Sequence, residues 1–306
     1  LCGLVNARHV EILTGSGTLA NDAVAGQLAQ LEGKGLVLSN GEFGERLINA
    51  ADNFNLDYRA MRFDWGEPFD YEFIEKIVWR DEWIKWVWAV DLETSTGMQN
   101  DIERLKSICG GNDKLLCLDC ISSVGNSVVD LSGVYLASTS TAKGLSCFAG
   151  LAIVFYDHRL ELGRKKLPGS IDLYKYANAG GIAYTISSNH VLALLGSLKR
   201  LDIVKKAGRI TALSDILRKK LEAAGFKPVC EKSHAADCVI TLFLDEKLSS
   251  IEIGDRLREA GIVVNYQSGY LAERNWIQIS LMSEPSMNMI DGVLLSLLRM
   301  TAGFDD

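Results

Sequence analysis

The sequence predicts an α/β protein built on a mostly parallel sheet, with a site at the carboxyl ends of the strands. Through the first half of the chain, short apolar runs typical of strands alternate with segments of helical periodicity. Polar or special residues gather directly after successive strands, at Gly17 and Thr18, Phe43, Thr94, Asp119 and Lys143. Because the carboxyl ends of parallel strands share one edge of a sheet, we expect these residues to be neighbours.

Composition narrows the class of partner. The chain has 306 residues, 48% of them hydrophobic, so it can bury a large core. Its formal net charge of −7 argues against nucleic acid or an anionic membrane and favours a small-molecule substrate. No apolar run approaches the roughly 18 residues of a membrane span, and the first residues lack the layout of a signal peptide. We therefore expect a soluble, cytoplasmic protein.

The seven cysteines are scattered, mostly in apolar segments, as expected of reduced core thiols in a reducing compartment. Cys117 and Cys120 form a C-x-x-C pattern. No second pair and no histidine cluster stands at zinc spacing, so we predict no metal site.

The first half is predicted to hold seven strands and four helices in alternation. The strands are expected at 10–13, 35–39, 58–63, 83–90, 115–118, 134–137 and 151–156, and the helices at 19–31, 45–54, 69–78 and 102–109. The stretch Ser138–Ser146 (STSTAKGLS) is predicted as a hydroxyl-rich turn between two apolar runs.

The second half is predicted to finish the large domain and add a smaller one. Residues 160–179 look irregular, and 186–201 and 205–224 look helical, the latter linking to the small domain. There we expect strands at 238–244, 262–266 and 276–281 and helices at 250–260 and 287–300. The predicted domains are 1–204 and 205–306.

The turn Gly15-Ser16-Gly17-Thr18 joins the first strand to the first helix. Such a turn offers backbone N–H groups and a helix dipole, which suit a phosphate. The same letters, GSGTLA, fit the dinucleotide pattern G-x-G-x-x-A, with Glu42 about where a ribose-binding acid stands. A turn with no ligand is a third interpretation, so this motif alone leaves the cofactor open.

Lys143 and Asp119 point to a particular chemistry. An amine that forms an imine with an aldehyde cofactor needs a carboxylate at the cofactor's pyridine nitrogen, because the protonated ring is the electron sink. Asp119 follows a buried apolar strand, where a carboxylate is costly unless a cation meets it. Phe43, held between glycines, is suited to stack on a ring. The order of phosphate turn, aromatic residue, hydroxyl cluster, acid and amine favours pyridoxal 5'-phosphate (PLP).

Five segments together resemble the class V (fold type I) PLP-dependent aminotransferases, typified by alanine–glyoxylate and serine–pyruvate aminotransferase. They are TGSGT, NGEFGER, ETSTG, LLCLDCISS and STSTAKG, all within residues 12–156. The resemblance implies a seven-stranded-type sheet with helices on both faces and a small C-terminal α+β domain. It also implies a homodimer with the site at the subunit interface.

The resemblance assigns roles to individual residues. Lys143 is implied to hold PLP as a Schiff base and then to carry the proton transferred during the reaction. The other cofactor-binding residues it implies are Gly17 and Thr18 at the phosphate, Phe43 and Ile121 on the two ring faces, Thr94 at the ring and O3′, Asp119 at the pyridine nitrogen, and Thr141 and Tyr176.

The chain departs from the family pattern at several positions. Ala142 stands where the family has glutamine, and Ala179 aligns with a threonine that a neighbouring subunit contributes. Gln278 replaces the arginine that binds the substrate carboxylate and cannot pair with it bidentately. Arg274 is the candidate substitute. The family's N-terminal segment is expected to be missing.

The sequence therefore predicts a PLP-dependent aminotransferase that moves an amino group from a small amino acid to a 2-oxo acid such as pyruvate or glyoxylate. Three alternatives stay open. They are a cysteine desulfurase or lyase of the same fold, a catalytically inert PLP-binding homologue, and an NAD-dependent dehydrogenase.

Overall fold

The structure is a computed structural model that describes residues 1–301, so residues 302–306 of the predicted small domain lie outside the described residues. The chain divides into two compact units. The first unit comprises Leu1–Glu93 and Asn100–Val204, and the second comprises Thr94–Gln99 and the chain from Lys205 onwards.

The strands run in chain order as follows: β1 (His9–Thr14), β2 (Lys34–Ser39), β3 (Tyr58–Arg62), β4 (Ile84–Val90), β5 (Leu92–Glu93), β6 (Met98–Gln99), β7 (Leu115–Asp119), β8 (Leu136–Ser140), β9 (Leu151–Tyr156), β10 (Lys227–Pro228), β11 (Val239–Phe243) and β12 (Trp276–Ser280). The helices are α1 (Cys2–Val5), α2 (Gly17–Leu28), α3 (Glu42–Asn53), α4 (Tyr71–Arg80), α5 (Ile102–Gly111), α6 (Leu173–Asn178), α7 (Ser188–Arg200), α8 (Ile203–Ala223), α9 (Ser250–Glu259), α10 (Gly269–Glu273) and α11 (Met287–Thr301). Single 3-10 turns span Gly169–Ile171 and Lys232–His234.

The first unit is organised around a seven-stranded sheet in the order β1-β9-β8-β7-β4-β2-β3. Strands β3, β2, β4, β7 and β8 are parallel, and β9 runs antiparallel to both β8 and β1. The predicted mostly parallel sheet is confirmed. In its register Asp119, the last residue of β7, lies beside Ser138 of β8.

Helices cover both faces of this sheet. Alternate side chains of β4 enter two separate hydrophobic clusters, because successive residues of a strand point to opposite faces. Val87 packs with residues of α4 and α5, whereas Trp88 packs with residues of α2 and α3. A strand buried on both faces is apolar almost throughout, which explains the sequence IKWVWAV.

The second unit contains the antiparallel sheet β10-β11-β12. The predicted strand at 262–266 is wrong, since among residues 1–301 this stretch makes only an isolated bridge, between Asn265 and Gln278. The amide of Ile262 donates to Leu257 O at 2.9 Å and so closes α9, and the side chain of Val263 is 85% exposed. The sequence did not indicate α10 at all.

Two predictions for the first unit also need correction. Ser138–Ser140 belong to β8 rather than to a turn, because the hydroxyls of Ser138 and Thr139 find buried partners within the unit and need no solvent. Residues 160–179, predicted as irregular, contain α6 and a 3-10 turn. Within residues 1–301, no helix combines the length and the apolar character needed to cross a membrane.

Candidate active site

Asp119 is a buried carboxylate at the carboxyl end of β7, with 4% of its surface exposed. Its Oδ1 accepts from the amide of Ile121 at 2.9 Å, and its Oδ2 accepts from Nδ2 of Asn21 at 2.8 Å. Burial raises the pKa of Asp119, while these hydrogen bonds and the charges of Lys143 and Arg46 lower it. Each carboxylate oxygen can accept two hydrogen bonds, so Asp119 retains bonding capacity for a cation.

The phosphate-type turn begins α2. Ser16 is the extended N-cap residue, and Gly17 to Leu19 form the first turn, where helix geometry offers the amides no carbonyl within the helix. A Cβ at Gly17 would lie 2.7 Å from Cδ1 of Ile121, so a larger residue here would displace the Ile121 side chain. Thr18 is exposed. The turn therefore presents donors and a helix dipole to an anion.

Phe43 lies in the first turn of α3 rather than before the helix, and it is half-buried. The amide of Gly44 donates to Oε2 of the buried Glu93 at 2.9 Å, which fixes this helix start. A Cβ at Gly44 would lie 2.6 Å from Cα of Ser39, so glycine is needed here. The Arg46 guanidinium lies 4.9 Å from the centre of the Phe43 ring.

Lys143 lies in the turn that follows β8, and it is half-buried. Thr141 anchors this turn, because its hydroxyl donates to Phe148 O at 2.7 Å and its carbonyl accepts from the amide of Cys147. The next residue, Gly144, approaches Val124 so closely that a Cβ would lie 2.4 Å from its carbonyl oxygen. The turn therefore has a fixed path, and the positive charge of Lys143 acts on Asp119.

Tyr176 has a different setting within the first unit. It is buried in α6, its hydroxyl donates to Ser170 O at 3.4 Å, and its ring lies 5.6 Å from that of Tyr184. Tyr176 lines a cavity of about 460 Å³ together with Ile12 and Thr14. Ala179, three residues after Tyr176 in the chain, is exposed.

Three predicted residues belong to the second unit. Gln278 is 5% exposed, and its Nε2 donates to Thr94 O and to Oγ1 of Thr241, the latter at 2.9 Å. The amide group of Gln278 therefore fixes the segment that contains Thr94. Arg274 is exposed, with its guanidinium 5.5 Å from the centre of the Trp276 ring.

Sequence reasoning missed Asn21, Ser138 and Glu93. Asn21 was detectable as a polar residue on the otherwise small and apolar face of α2. Ser138 was placed in a turn, so its register beside Asp119 could not be seen. Cys117 and Cys120, which form the C-x-x-C pattern, are fully buried, and burial raises the pKa of both thiols.

The residues present in the first unit fit PLP. The buried acid, which has capacity for a cation, matches the ring nitrogen of PLP. The half-buried lysine, whose charge acts on that acid, matches the aldehyde. The start of α2, where a glycine packs against Ile121, matches the phosphate.

Comparisons with known proteins bear on the fold and on the enzyme class. No family model matches the chain. It is 25% identical over 273 residues to a 2-aminoethylphosphonate–pyruvate transaminase of Bacillus cereus, covering 84% of this chain and 74% of that protein.

Two solved structures have the same fold. An aspartate aminotransferase from Thermus thermophilus has a TM-score of 0.86 and 25% identity, with coverage of 98% of this chain and 86% of that one. An alanine–glyoxylate aminotransferase from Nostoc sp. has a TM-score of 0.87 and 24% identity, with coverage of 97% and 83%.

These findings confirm the predicted resemblance and the predicted fold class. They also confirm the predicted enzyme class and cofactor, a PLP-dependent transaminase.

Proposed function

We propose that this chain uses PLP to move an amino group from a small amine to a 2-oxo acid such as pyruvate or glyoxylate. The observation that carries the proposal is the buried Asp119 with the charge of Lys143 acting on it. The transaminase relative supports the reaction class. An NAD-dependent dehydrogenase would have no use for this acid and amine.

The first unit supplies the proposed cofactor residues. Gly17 and Thr18 would bind the phosphate at the start of α2, and Asp119 would meet the pyridine nitrogen. Phe43 and Ile121 would lie on the two ring faces, and the proximity of Ile121 to Gly17 supports its part.

The remaining site residues are proposed from the turn that contains Lys143 and from the resemblance. Thr141 fixes the turn of Lys143 and is proposed to act on the cofactor through that turn. Tyr176, Thr94, Gln278 and Arg274 stay predictions from the resemblance. Of the last two, Arg274 is the better proposal for a substrate carboxylate, because it is charged and exposed whereas the amide of Gln278 is engaged with the backbone.

In the proposed mechanism Lys143 would hold the cofactor at its aldehyde, and the same amine would move a proton. A bound PLP supplies an electron sink that stabilises negative charge at the substrate's α-carbon. When it is free, Nζ of Lys143 would take the proton from this carbon and hold it for return. Asp119 would keep the ring nitrogen in its protonated form.

The name of the curated relative suggests the first substrates to test. We propose 2-aminoethylphosphonate as a donor and pyruvate as an acceptor, beside small amino acids and glyoxylate. A homodimer is also proposed, supported by the exposed apolar side chains of Phe148, Ile182 and Leu192, which are 73%, 70% and 64% exposed. A cytoplasmic location is supported by free cysteines, most of them buried.

A spectroscopic experiment tests the cofactor and its attachment. We expect the protein to turn yellow on addition of PLP and to bleach with borohydride, leaving the reduced label on Lys143. The control is Lys175→Ala, which removes an exposed lysine from α6 and should leave colour and labelling unchanged. A protein that stays colourless with PLP would overturn the proposal.

Gln278 gives specific support to a second candidate, an inert PLP-binding homologue, because its amide group serves the Thr94 segment. A panel of donors crossed with pyruvate and glyoxylate separates the two. Binding and labelling without turnover of any pair would favour the inert protein, and release of sulfur from cysteine would favour a desulfurase.

A further inference from the structure

The hydrogen bonds behind Asp119 assign a role to two residues that the family resemblance does not mention. We propose that Asn21 and Ser138 form a relay that orients the Asp119 carboxylate and keeps the proton on the cofactor's ring nitrogen. This inference rests on the proposed function, because it concerns the same site. Both are positioning residues, since they act through Asp119.

The relay is built from three elements of the first unit. Ser138 lies beside Asp119 in the parallel pairing of β8 with β7, and Asn21 lies in α2, the helix that begins at Gly17. Ser138 Oγ donates to Asn21 Oδ1 at 2.5 Å, and Asn21 Nδ2 donates to Asp119 Oδ2 at 2.8 Å. The three side chains are 0%, 9% and 4% exposed, so water is largely excluded from the relay.

The order of donors fixes the Asn21 amide. Because the serine hydroxyl donates to the carbonyl oxygen of Asn21, the NH2 group must face the carboxylate. The amide of Ile121 donates to the other carboxylate oxygen at 2.9 Å. Asp119 is therefore held at both oxygens, with its plane set before any ligand binds, which is the preorganisation that electrostatic catalysis requires.

The relay also decides whether Asp119 or the cofactor's ring nitrogen holds the proton between them. A hydrogen bond donated to a carboxylate favours its charged form, so Asn21 opposes the rise in the pKa of Asp119 that burial causes. The other groups that act on Asp119 are the amide of Ile121 and the positive charges of Lys143 and Arg46, and all three lower its pKa. With Asp119 ionised, a proton shared with a pyridine nitrogen stays on the nitrogen.

A purely structural role does not account for Asn21. The buried residues one turn further along the same face of α2 are Val24 and Ala25, so an apolar side chain would suit this position. A buried amide costs free energy unless its hydrogen bonds are made, and the bonds to Asp119 and Ser138 make them.

The test uses the PLP-loaded protein and three variants. Asn21→Leu and Ser138→Ala interrupt the relay at different points. Thr139→Val is the matched control, because Thr139 is a fully buried hydroxyl in the same strand that points to the opposite face and donates to Cys120 O at 3.2 Å. Melting temperatures establish that each variant is folded. If Asn21→Leu does not fold, Ser138→Ala still tests the relay.

The main readout is the 15N NMR shift of PLP labelled at the ring nitrogen. We expect a protonated nitrogen in the unchanged protein and in Thr139→Val, and a shift towards the unprotonated form in both relay variants. The affinity for PLP should fall about tenfold in the relay variants, the size expected for one lost bond to a charged group. Affinity for 1-deazapyridoxal phosphate, which has a C–H group in place of the nitrogen, should change by less than about twofold.

The outcomes separate this inference from the proposed function. If the unchanged protein does not bind PLP, the proposed function fails. If it binds PLP but the relay variants leave the nitrogen shift unchanged, the relay is wrong. If the variants weaken both cofactors equally, Asn21 and Ser138 support the pocket without acting on the nitrogen, which also overturns the inference.

Discussion

Asp119 and Gln278 are both buried polar side chains, one in the first unit and one in the second, and they are used differently. Asp119 accepts one hydrogen bond at each oxygen, and its pKa is raised by burial. Gln278 donates to Thr94 O and to Thr241, and its Oε1 accepts from Asn265 at 3.5 Å. The first group has capacity for a charged ligand, whereas the second is satisfied within the protein.

The difference teaches how to separate a ligand-binding polar residue from a structural one when both are buried. A buried charge that lacks a full set of partners is costly and needs a counter-charge. A buried amide that bonds to backbone carbonyls stabilises a segment without any ligand. Gln278 therefore supports the Thr94 segment, although it occupies the position where the family resemblance places a substrate-binding arginine.

The largest expected effect comes from removing the amine whose charge acts on Asp119. Lys143→Ala should lower kcat by at least about a thousandfold, because it removes the group that carries the proton. Its melting temperature should stay close to that of the unchanged protein, since Lys143 is only half-buried. Steady-state kinetics with pyruvate check the first expectation. Activity within tenfold of the unchanged protein would show that another base serves.

Asp119→Asn should lower kcat about a hundredfold, as expected when a group that stabilises charge in the transition state is neutralised. Glu11→Gln is the matched control. Glu11 is another buried carboxylate of the same sheet, its pKa is also raised by burial, and it accepts from the Tyr156 hydroxyl at 2.9 Å. Kinetics that fall equally in both variants would mean that Asp119 has no special role.

Gln278→Leu and Arg274→Ala test the other side of the comparison. We expect Gln278→Leu to lower the free energy of unfolding by about 1 to 3 kcal/mol, because the buried carbonyl of Thr94 loses its donor. The KM for pyruvate should change little.

Arg274→Ala should raise the KM for pyruvate about tenfold, the effect expected for a lost bond between charged groups. The reverse pattern in denaturation and kinetics would make Gln278 the carboxylate ligand.

The smallest effect is a pH dependence of stability. Burial raises the pKa of Asp119 in the folded state above its usual 3.8, so the folded protein binds this proton more tightly than the unfolded chain does. Its contribution to stability is present below pH 3.8 and is lost as the pH rises through the folded pKa. PLP should restore it, so the rise in melting temperature on adding PLP should grow with pH. A cofactor effect that shrinks with rising pH would contradict this sign.

Much of the fold followed from local pattern. Leu151–Tyr156 is apolar at every position, and it was correctly predicted as a buried strand. The hydrogen-bond partners of side chains were harder to predict from the sequence, because they depend on which elements pack together. Ser138–Ser140 looked like a turn from its hydroxyls alone, and Ile262–Tyr266 looked like a strand although the first of its amides closes α9.

The site residues likewise divide into those that local sequence predicts and those that depend on packing. Asp119 and Lys143 were predicted from their chain order and from the resemblance, since each carries its own chemistry. Asn21 acquires a role only from the packing of α2 against β8, which spacing does not reveal. The engagement of Gln278 likewise depends on Thr94 and Thr241, which lie far from it in sequence.

The place of β1 in the sheet has a consequence for the order of folding. Among the described residues, β1 pairs only with β9, with His9 opposite Tyr156, and the amide of Gly15 donates to Gly150 O at 2.9 Å. Contacts between such distant residues form slowly, and a chain made from its N-terminus must release β9 from the ribosome before β1 has a partner. The phosphate-type turn is therefore synthesised before the strand that pairs with β1, and it takes its final form only after β9 has emerged.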